Sequence, residues 1–130
     1  MQQAGPLQYA CGGIGAGERM EMKALAREAN LELLFVTQKR GGYLADVALT
    51  ISDAKDAELL RTRADGPICV LMLPAGRYRV SATYAGATRT AQVDGGGAAG
   101  KPRRVVLSFP GEKWDGIRAS DEEKGSARTP

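Results

Sequence analysis

Residues 76–85 read GRYRVSATYA, and they show the clearest secondary-structure pattern in the chain. Apolar side chains occupy every second position of this stretch: Tyr78, Val80, Ala82 and Tyr84. The positions between them are charged or hydroxylated, so alternate residues point to opposite faces of an extended chain. The pattern predicts a β-strand with one buried and one solvated face.

Six further stretches are short and apolar or alternating, and turn-forming residues separate them. The seven predicted strands are 31–37, 43–52, 57–63, 68–73, 76–85, 87–93 and 103–109. In the second of them the alternation predicts five inward-facing side chains: Tyr43, Ala45, Val47, Leu49 and Ile51. Short strands at this regular spacing predict a mainly β fold, a seven-stranded antiparallel sandwich.

A helix is predicted over 17–30, GERMEMKALAREAN, before the first strand. Its apolar positions fall at helical spacing and form one narrow stripe: Met22, Leu25, Ala26 and Ala29. Asn30 is predicted as a left-handed residue at its C-terminus. We therefore divide the chain into three parts. Residues 1–30 are predicted to form a glycine-rich segment and a helix packed on the sandwich. Residues 31–109 are predicted to form the sandwich itself, and residues 110–130 a polar, disordered tail.

The glycine-rich stretch CGGIGAGERMEM (11–22) lies between an apolar run and the helix, the order in which phosphate-binding loops are built. A P-loop needs lysine and a hydroxyl residue after its last glycine, whereas Glu18 and Arg19 stand there. A carboxylate at that position repels phosphate. The glycines are therefore predicted to form a flexible hinge, and no cofactor is predicted.

The chain has 130 residues and no histidine. This excludes histidine triads, Cys–His dyads and the usual imidazole metal sites. No catalytic residue and no metal ligand is predicted, and we expect the protein not to be an enzyme.

The two cysteines, Cys11 and Cys69, are too far apart in sequence for a CxxC motif. Two interpretations stay open. An oxidising compartment would pair them in one disulfide, whereas a reducing one would leave two buried thiols.

Three arginines, Arg77, Arg79 and Arg89, lie on two strands predicted to form a hairpin. If they align, they form a basic patch for an anionic partner such as an acidic protein, a glycan or a lipid headgroup. The alternative is a solvated face with acidic neighbours. Trp114, the single tryptophan, either anchors a partner or folds back over the edge of the sandwich.

The stretch DGPICVLMLPAGRYRVSATYAG (65–86) resembles carboxypeptidase regulatory-like domains, which are transthyretin-like (prealbumin-like) β-sandwiches. ADVALTISDAKD (45–56) is similar to a second segment of that family, except that Asp56 stands where glycine is commoner. In LPAGRY, Gly76 can take a positive φ. Tyr78 can bury its ring while its hydroxyl bonds backbone near the end of the sandwich.

The stretch 12–36, from the glycines through the predicted helix, resembles the leader of a bacterial exported subgroup of that family. The resemblance implies a non-enzymatic accessory module, periplasmic or secreted, that binds a protein in the bacterial envelope. The alternatives are a small-molecule hydrolase, disfavoured because related hydrolases use histidine, and an envelope-assembly protein that accepts a strand at a sheet edge.

Other partners are constrained by the sequence. Aromatic residues do not interleave with basic ones, so nucleic acid is not expected. No run approaches the roughly 20 apolar residues of a transmembrane helix, and no signal peptide is visible at the N-terminus. We expect a monomer or a weak dimer.

Overall fold

A computed structural model describes residues 1–38 and 42–110. Within these ranges the chain forms nine strands and one α-helix. The strands are Gln2–Ala4 (β1), Leu7–Gly12 (β2), Leu31–Thr37 (β3), Val47–Asp53 (β4), Glu58–Ala64 (β5), Ile68–Met72 (β6), Arg77–Tyr84 (β7), Ala87–Asp94 (β8) and Arg103–Phe109 (β9). The helix is Gly15–Leu25 (α1), and a short 3-10 turn, Ala26–Glu28, continues it.

The strands form two sheets, which confirms the mainly β, sandwich-like prediction. The five-stranded sheet has the order β1-β2-β6-β3-β9, and the four-stranded sheet has the order β5-β4-β7-β8. The expectation of seven antiparallel strands is corrected in two respects: there are nine described strands, and β9 runs parallel to β3 over its whole length. The parallel pair arises because the chain crosses from β8 to the other sheet and lies beside β3 in the same direction.

The N-terminal residues contribute to the five-stranded sheet. Residues 1–30 are predicted to pack on the sandwich without belonging to it, whereas β1 pairs with β2, and β2 pairs with β6. In β2, Leu7, Tyr9 and Cys11 pack with the central core. The stretch was missed because it has only six residues between glycine-containing turns, too few to show a convincing alternation.

Six of the seven predicted strands agree with the structure to within one residue at each end. The exception is 43–52, which begins as a strand only at Val47. Asp46 has a φ of 61°, a left-handed conformation that reverses the alternation of the residues before it. As a result Leu44 is buried, whereas Tyr43 is 62% exposed instead of inward-facing.

The core lies between the inner faces of the two sheets. The helix packs on the outer face of β2 and β6, against Val70, Ala10 and Ile68. The residues that make this contact are those of the predicted stripe: Met22, Leu25, Ala26 and Ala29. A helix near the N-terminus is thus confirmed, but its bounds differ from the predicted 17–30: it begins at Gly15, the helical conformation ends at Glu28, and Ala29 is already extended with a φ of −120°.

Asn30, between the helix and β3, is the one buried polar residue among those described, with 7% exposure. Its φ is not left-handed, so the expectation of a helix C-terminal residue of that kind is wrong. Its side-chain Nδ2 donates to the carbonyl oxygens of Leu73 (2.9 Å) and Gly97 (3.2 Å), and its Oδ1 accepts from the Leu73 N–H at 2.9 Å. Asn30 therefore ties the start of β3 to the end of β6.

The LPAGRY turn has the geometry that the sequence suggested. Gly76 has a φ of 144°. The ring of Tyr78 is buried, and its hydroxyl donates to the Pro74 carbonyl oxygen at 2.9 Å. None of the helical segments in the described part of the chain has the length and apolar character to cross a bilayer.

Candidate functional site

Cys11 and Cys69 lie directly opposite each other on β2 and β6 and form a disulfide. Cys69 is fully buried, whereas Cys11 is partly exposed. The bond fixes the N-terminal strands to the core strand β6. Of the two interpretations of the cysteines, the structure supports the disulfide, which is consistent with an oxidising extracytoplasmic compartment.

The glycine loop before α1 binds a carboxylate of its own chain. Oε1 of Glu18 accepts hydrogen bonds from the N–H groups of Gly13 and Ile14, each at 3.2 Å. Gly13 and Gly15 both have positive φ, which lets the chain turn sharply into the helix. The amide groups of Gly13 and Ile14 are thus already bonded to Glu18, so they are not free to bind a phosphate.

Two of the three predicted patch residues lie on the outer face of β7. Arg77 is 3.5 Å from an oxygen of Asp94, and Arg79 is 3.0 Å from an oxygen of Asp56. Each arginine therefore has an acidic neighbour at the surface. This arrangement matches the alternative of a solvated face with balanced charge.

Arg89 does not join them, because its position in β8 is opposite the buried Ala82 and therefore on the inner face. Its Nε donates to the Ser108 carbonyl oxygen at 2.8 Å, and its guanidinium lies 5.8 Å from the centre of the Phe109 ring. The three arginines do not form one patch. Instead Arg89 bridges the edge strands β8 and β9 of the two sheets.

Ionisable groups with shifted pKa values are few in the described ranges. A hydrogen bond from Arg61 lowers the pKa of Glu58, and the same bond raises the pKa of Arg61. Burial raises the pKa of Tyr78. The first two form an exposed ion pair and the third is bonded to backbone, so these shifts have structural causes. No cluster of three metal-ligating side chains occurs in residues 1–38 and 42–110.

An apolar surface lies on the outer face of the five-stranded sheet, beside the helix. Three of its side chains are at least half exposed: Ile14 (55%), Tyr43 (62%) and Val106 (50%). Leu34, half-buried, lies opposite Val106 on β9. We call Ile14, Leu34, Tyr43 and Val106 the apolar surface.

Strand register makes this surface continuous. Leu34 lies between Val106 and Ile68 on the adjacent strands. Ile68 in turn lies close to Gly13, since a Cβ atom placed on Gly13 would be 3.1 Å from Cδ1 of Ile68. In the neighbouring row, Val36 lies between Ser108 and Tyr43. Paired residues on adjacent strands share a face. Apolar side chains therefore extend from the β9 edge to the loop that precedes the helix.

A groove of about 230 Å³ crosses one end of the apolar surface. We call it the Tyr43 groove, and its lining residues are Gly13, Ile14, Gly15, Arg19, Tyr43, Leu44, Ala45 and Pro67. Arg19 is exposed and forms no ion pair with a described residue. At the opposite end of the surface, Arg104 pairs with Glu32 at 3.3 Å. The surface thus has an apolar centre, a charged boundary and one cation at the groove.

A larger groove of about 450 Å³ lies where β2 approaches β5. Arg63 and Asp65 on its wall carry opposite charges, and its apolar lining contains none of the large exposed side chains. It therefore lacks the exposed apolar character of the Tyr43 groove.

Comparison of the chain with protein-family models, curated protein sequences and solved structures gives no match. The candidate site therefore depends on the geometry of this chain alone.

The residues of the apolar surface are not predicted as a site from the sequence. Tyr43 was assigned to the core, and Ile14 was considered only as part of the glycine loop. One available signal was Asp46, since an aspartate before a strand tolerates a left-handed conformation better than most residues. The predicted anchor Trp114 lies outside the described residues, as does the predicted tail apart from Pro110.

Proposed function

We propose that this protein is a non-enzymatic interaction module of an oxidising extracytoplasmic compartment, and that it binds a partner protein on the apolar surface. The observation that carries this proposal is the exposure of Ile14, Tyr43 and Val106 on one continuous face. Exposed apolar patches with a polar boundary are typical of protein interaction sites.

The groove defines the chemistry of the segment that binds. Ile14 and Tyr43 form an apolar wall for one large aromatic or aliphatic side chain, and Arg19 offers a cation beside it. Because Arg19 makes no ion pair with a described residue, a carboxylate of the ligand can pair with it. The preferred ligand is therefore a protein segment in which an aromatic residue stands next to an acidic one.

Two further features support the proposal. The Cys11–Cys69 disulfide favours an exported protein. The turn geometry of Gly76 and Tyr78 agrees with that inferred from the resemblance to carboxypeptidase regulatory-like domains, in which accessory binding roles are common. The bacterial envelope is accordingly the proposed setting.

The test is a titration of the full chain with two labelled synthetic peptides, followed by fluorescence anisotropy. Each peptide has a central tryptophan. The residue after the tryptophan is Asp in one peptide and Lys in the other, and the rest of the sequence is identical. Because Trp114 in the same chain is itself followed by Asp115, the titration is also done with the Trp114→Ala chain.

We expect the acidic peptide to bind more tightly, and Tyr43→Ser to weaken that binding strongly. Met20→Ser is the matched control, since Met20 is 74% exposed on the helix but does not line the groove. The proposal is overturned if neither chain binds the acidic peptide, or if Tyr43→Ser binds it as well as the control does.

A further inference from the structure

We infer that the edge of β9 binds a second copy of this chain. In this contact β9 pairs antiparallel with β9 of the other copy about a two-fold axis at Val106, and the two five-stranded sheets become one continuous sheet. The inference goes beyond the proposed function, because it uses the backbone groups of a sheet edge and not the Tyr43 groove.

The backbone groups of β9 point alternately toward β3 and toward the edge of the sheet. The N–H of Arg103 donates to the Asn30 carbonyl oxygen at 3.1 Å. The Phe109 carbonyl oxygen accepts from the Gln38 N–H at 2.7 Å. The odd-numbered residues of β9 therefore bond to β3. The even-numbered residues direct their N–H and C=O groups outward, and they are Arg104, Val106 and Ser108.

Most of these outward groups lack a partner among the described residues. The Ser108 carbonyl oxygen accepts from Nε of Arg89 at 2.8 Å, which agrees with its outward direction. Nothing in residues 1–38 and 42–110 bonds to the backbone of Arg104 or Val106 at the edge. Edge groups in this condition form a template for pairing with another strand.

β9 differs from the other described edge strands, which are β1, β5 and β8. β1 has three residues, the exposed positions of β5 are charged, and those of β8 are polar or charged. Short and charged edges resist strand pairing. β9 has seven residues, and its central residue, Val106, is apolar and 50% exposed. Among these edges, β9 is therefore the one best suited to pairing.

The sequence of β9 fits a second copy of itself in one register. With Val106 opposite Val106, Arg104 lies opposite Ser108, so all three outward residues meet outward residues. Any other antiparallel register leaves at least one of them beyond the end of the opposite strand. A register centred on Arg104 would also place like charges opposite each other, which destabilises a strand pair. Charge and register together favour the pairing centred on Val106.

The pairing has a consequence for the apolar surface. Because the two-fold axis is perpendicular to the sheet, the outer faces of both copies lie on the same side. Leu34 and Val106, which are paired neighbours in one copy, continue directly into Val106 and Leu34 of the other. The contact covers the half-exposed valine and adds apolar burial to the backbone hydrogen bonds. The dimer thus presents two Tyr43 grooves on one face.

Sedimentation equilibrium of the full chain at increasing concentration tests the inference. We expect a monomer–dimer equilibrium in the wild type. Val106→Lys places two ammonium groups opposite each other and should weaken dimerisation by roughly tenfold or more. Val106→Thr is the matched control, since it keeps the β-branched shape and the outward backbone groups, and it should dimerise much as the wild type does. Circular dichroism establishes that each variant is folded.

Cross-linking tests the register. The Cα atoms of a hydrogen-bonded antiparallel pair are about 5.5 Å apart, a distance that a disulfide spans. Under mild oxidation Val106→Cys should therefore form a covalent dimer on a non-reducing gel. Arg104→Cys is the control, because its two copies would be offset by roughly 13 Å along the strands and should not cross-link.

The outcomes separate this inference from the proposed function. A wild-type chain that stays monomeric at every concentration would contradict the inference and favour a strand of another protein at this edge. Equal dimerisation of Val106→Lys and Val106→Thr, or equal cross-linking of the two cysteine variants, would also contradict it. Tyr43→Ser should lose the peptide and keep the dimer. Binding of the peptide by a monomer contradicts this inference alone, whereas a dimer that binds neither peptide contradicts the proposed function alone.

Discussion

The side-chain amide of Asn30 bonds to both backbone polar groups of Leu73, with each distance at 2.9 Å. One side chain thereby extends the hydrogen-bonding pattern between β3 and β6 by one residue. The backbone of Asn30 also bonds to Leu71 and Arg103, so this single position connects three strands of the sheet.

Asn30→Ala should lower the free energy of unfolding by about 1–3 kcal/mol, because it leaves the N–H of Leu73 without an acceptor, whereas the Leu73 carbonyl oxygen keeps its bond from the Gly96 N–H. Urea denaturation of the full chain measures the change. Gln92→Ala, at an exposed position of β8, should leave the midpoint nearly unchanged. Equal midpoints for Asn30→Ala and wild type would contradict the structural role of Asn30.

Reduction of the Cys11–Cys69 disulfide should lower the free energy of unfolding by about 4 kcal/mol, as expected when a loop of this length loses its cross-link. The bond joins residues 58 positions apart. Denaturation with and without reductant measures the effect, and intact mass verifies the bond. The control is the Cys11→Ala/Cys69→Ala double variant, in which reductant should have no effect. A wild-type chain that is equally insensitive would show that the disulfide does not form.

Arg89→Ala should destabilise the fold by about 1–2 kcal/mol, since it removes the bond to Ser108 and the cation–π contact with Phe109. Arg79→Ala is the matched comparison, because its ion pair with Asp56 is exposed and contributes at most about 1 kcal/mol. Thermal unfolding of both variants checks the order. A larger loss for Arg79→Ala would contradict the bridging role of Arg89.

Ala85→Gly should stabilise the protein by roughly 0.5–1 kcal/mol. Ala85 and Gly86 form the two-residue turn between β7 and β8, and both have positive φ, at 51° and 84°. Strain at a left-handed alanine exceeds the entropic cost of glycine in the unfolded chain. Ala87→Gly, within β8, should instead lower stability. A melting temperature for Ala85→Gly below that of wild type would refute this prediction.

Local patterns predicted most of the fold. In β7 and β9 the alternation is regular, so the sequence shows the strands and their inner faces directly. The helix stripe from Met22 to Ala29 likewise appears at its natural spacing, and it packs as predicted.

Features that depend on tertiary contacts could not be predicted in the same way. Nothing local indicates that β9 crosses to the other sheet and lies parallel to β3. The inner-face position of Arg89 follows from its pairing with Ala82, and arginine is seldom assigned to an inner face from sequence. The exposure of Tyr43 depends on one left-handed residue, Asp46, which reverses an otherwise convincing alternation.

The central claim is that the Tyr43 groove binds an aromatic–acidic segment of a protein. Its most direct test is the affinity of the Trp114→Ala chain for the labelled tryptophan–aspartate peptide, with and without Tyr43→Ser. We predict saturable binding that Tyr43→Ser weakens by roughly 30-fold, about 2 kcal/mol, as expected for loss of an aromatic anchor. Equal affinity of the two chains for the peptide would contradict the claim.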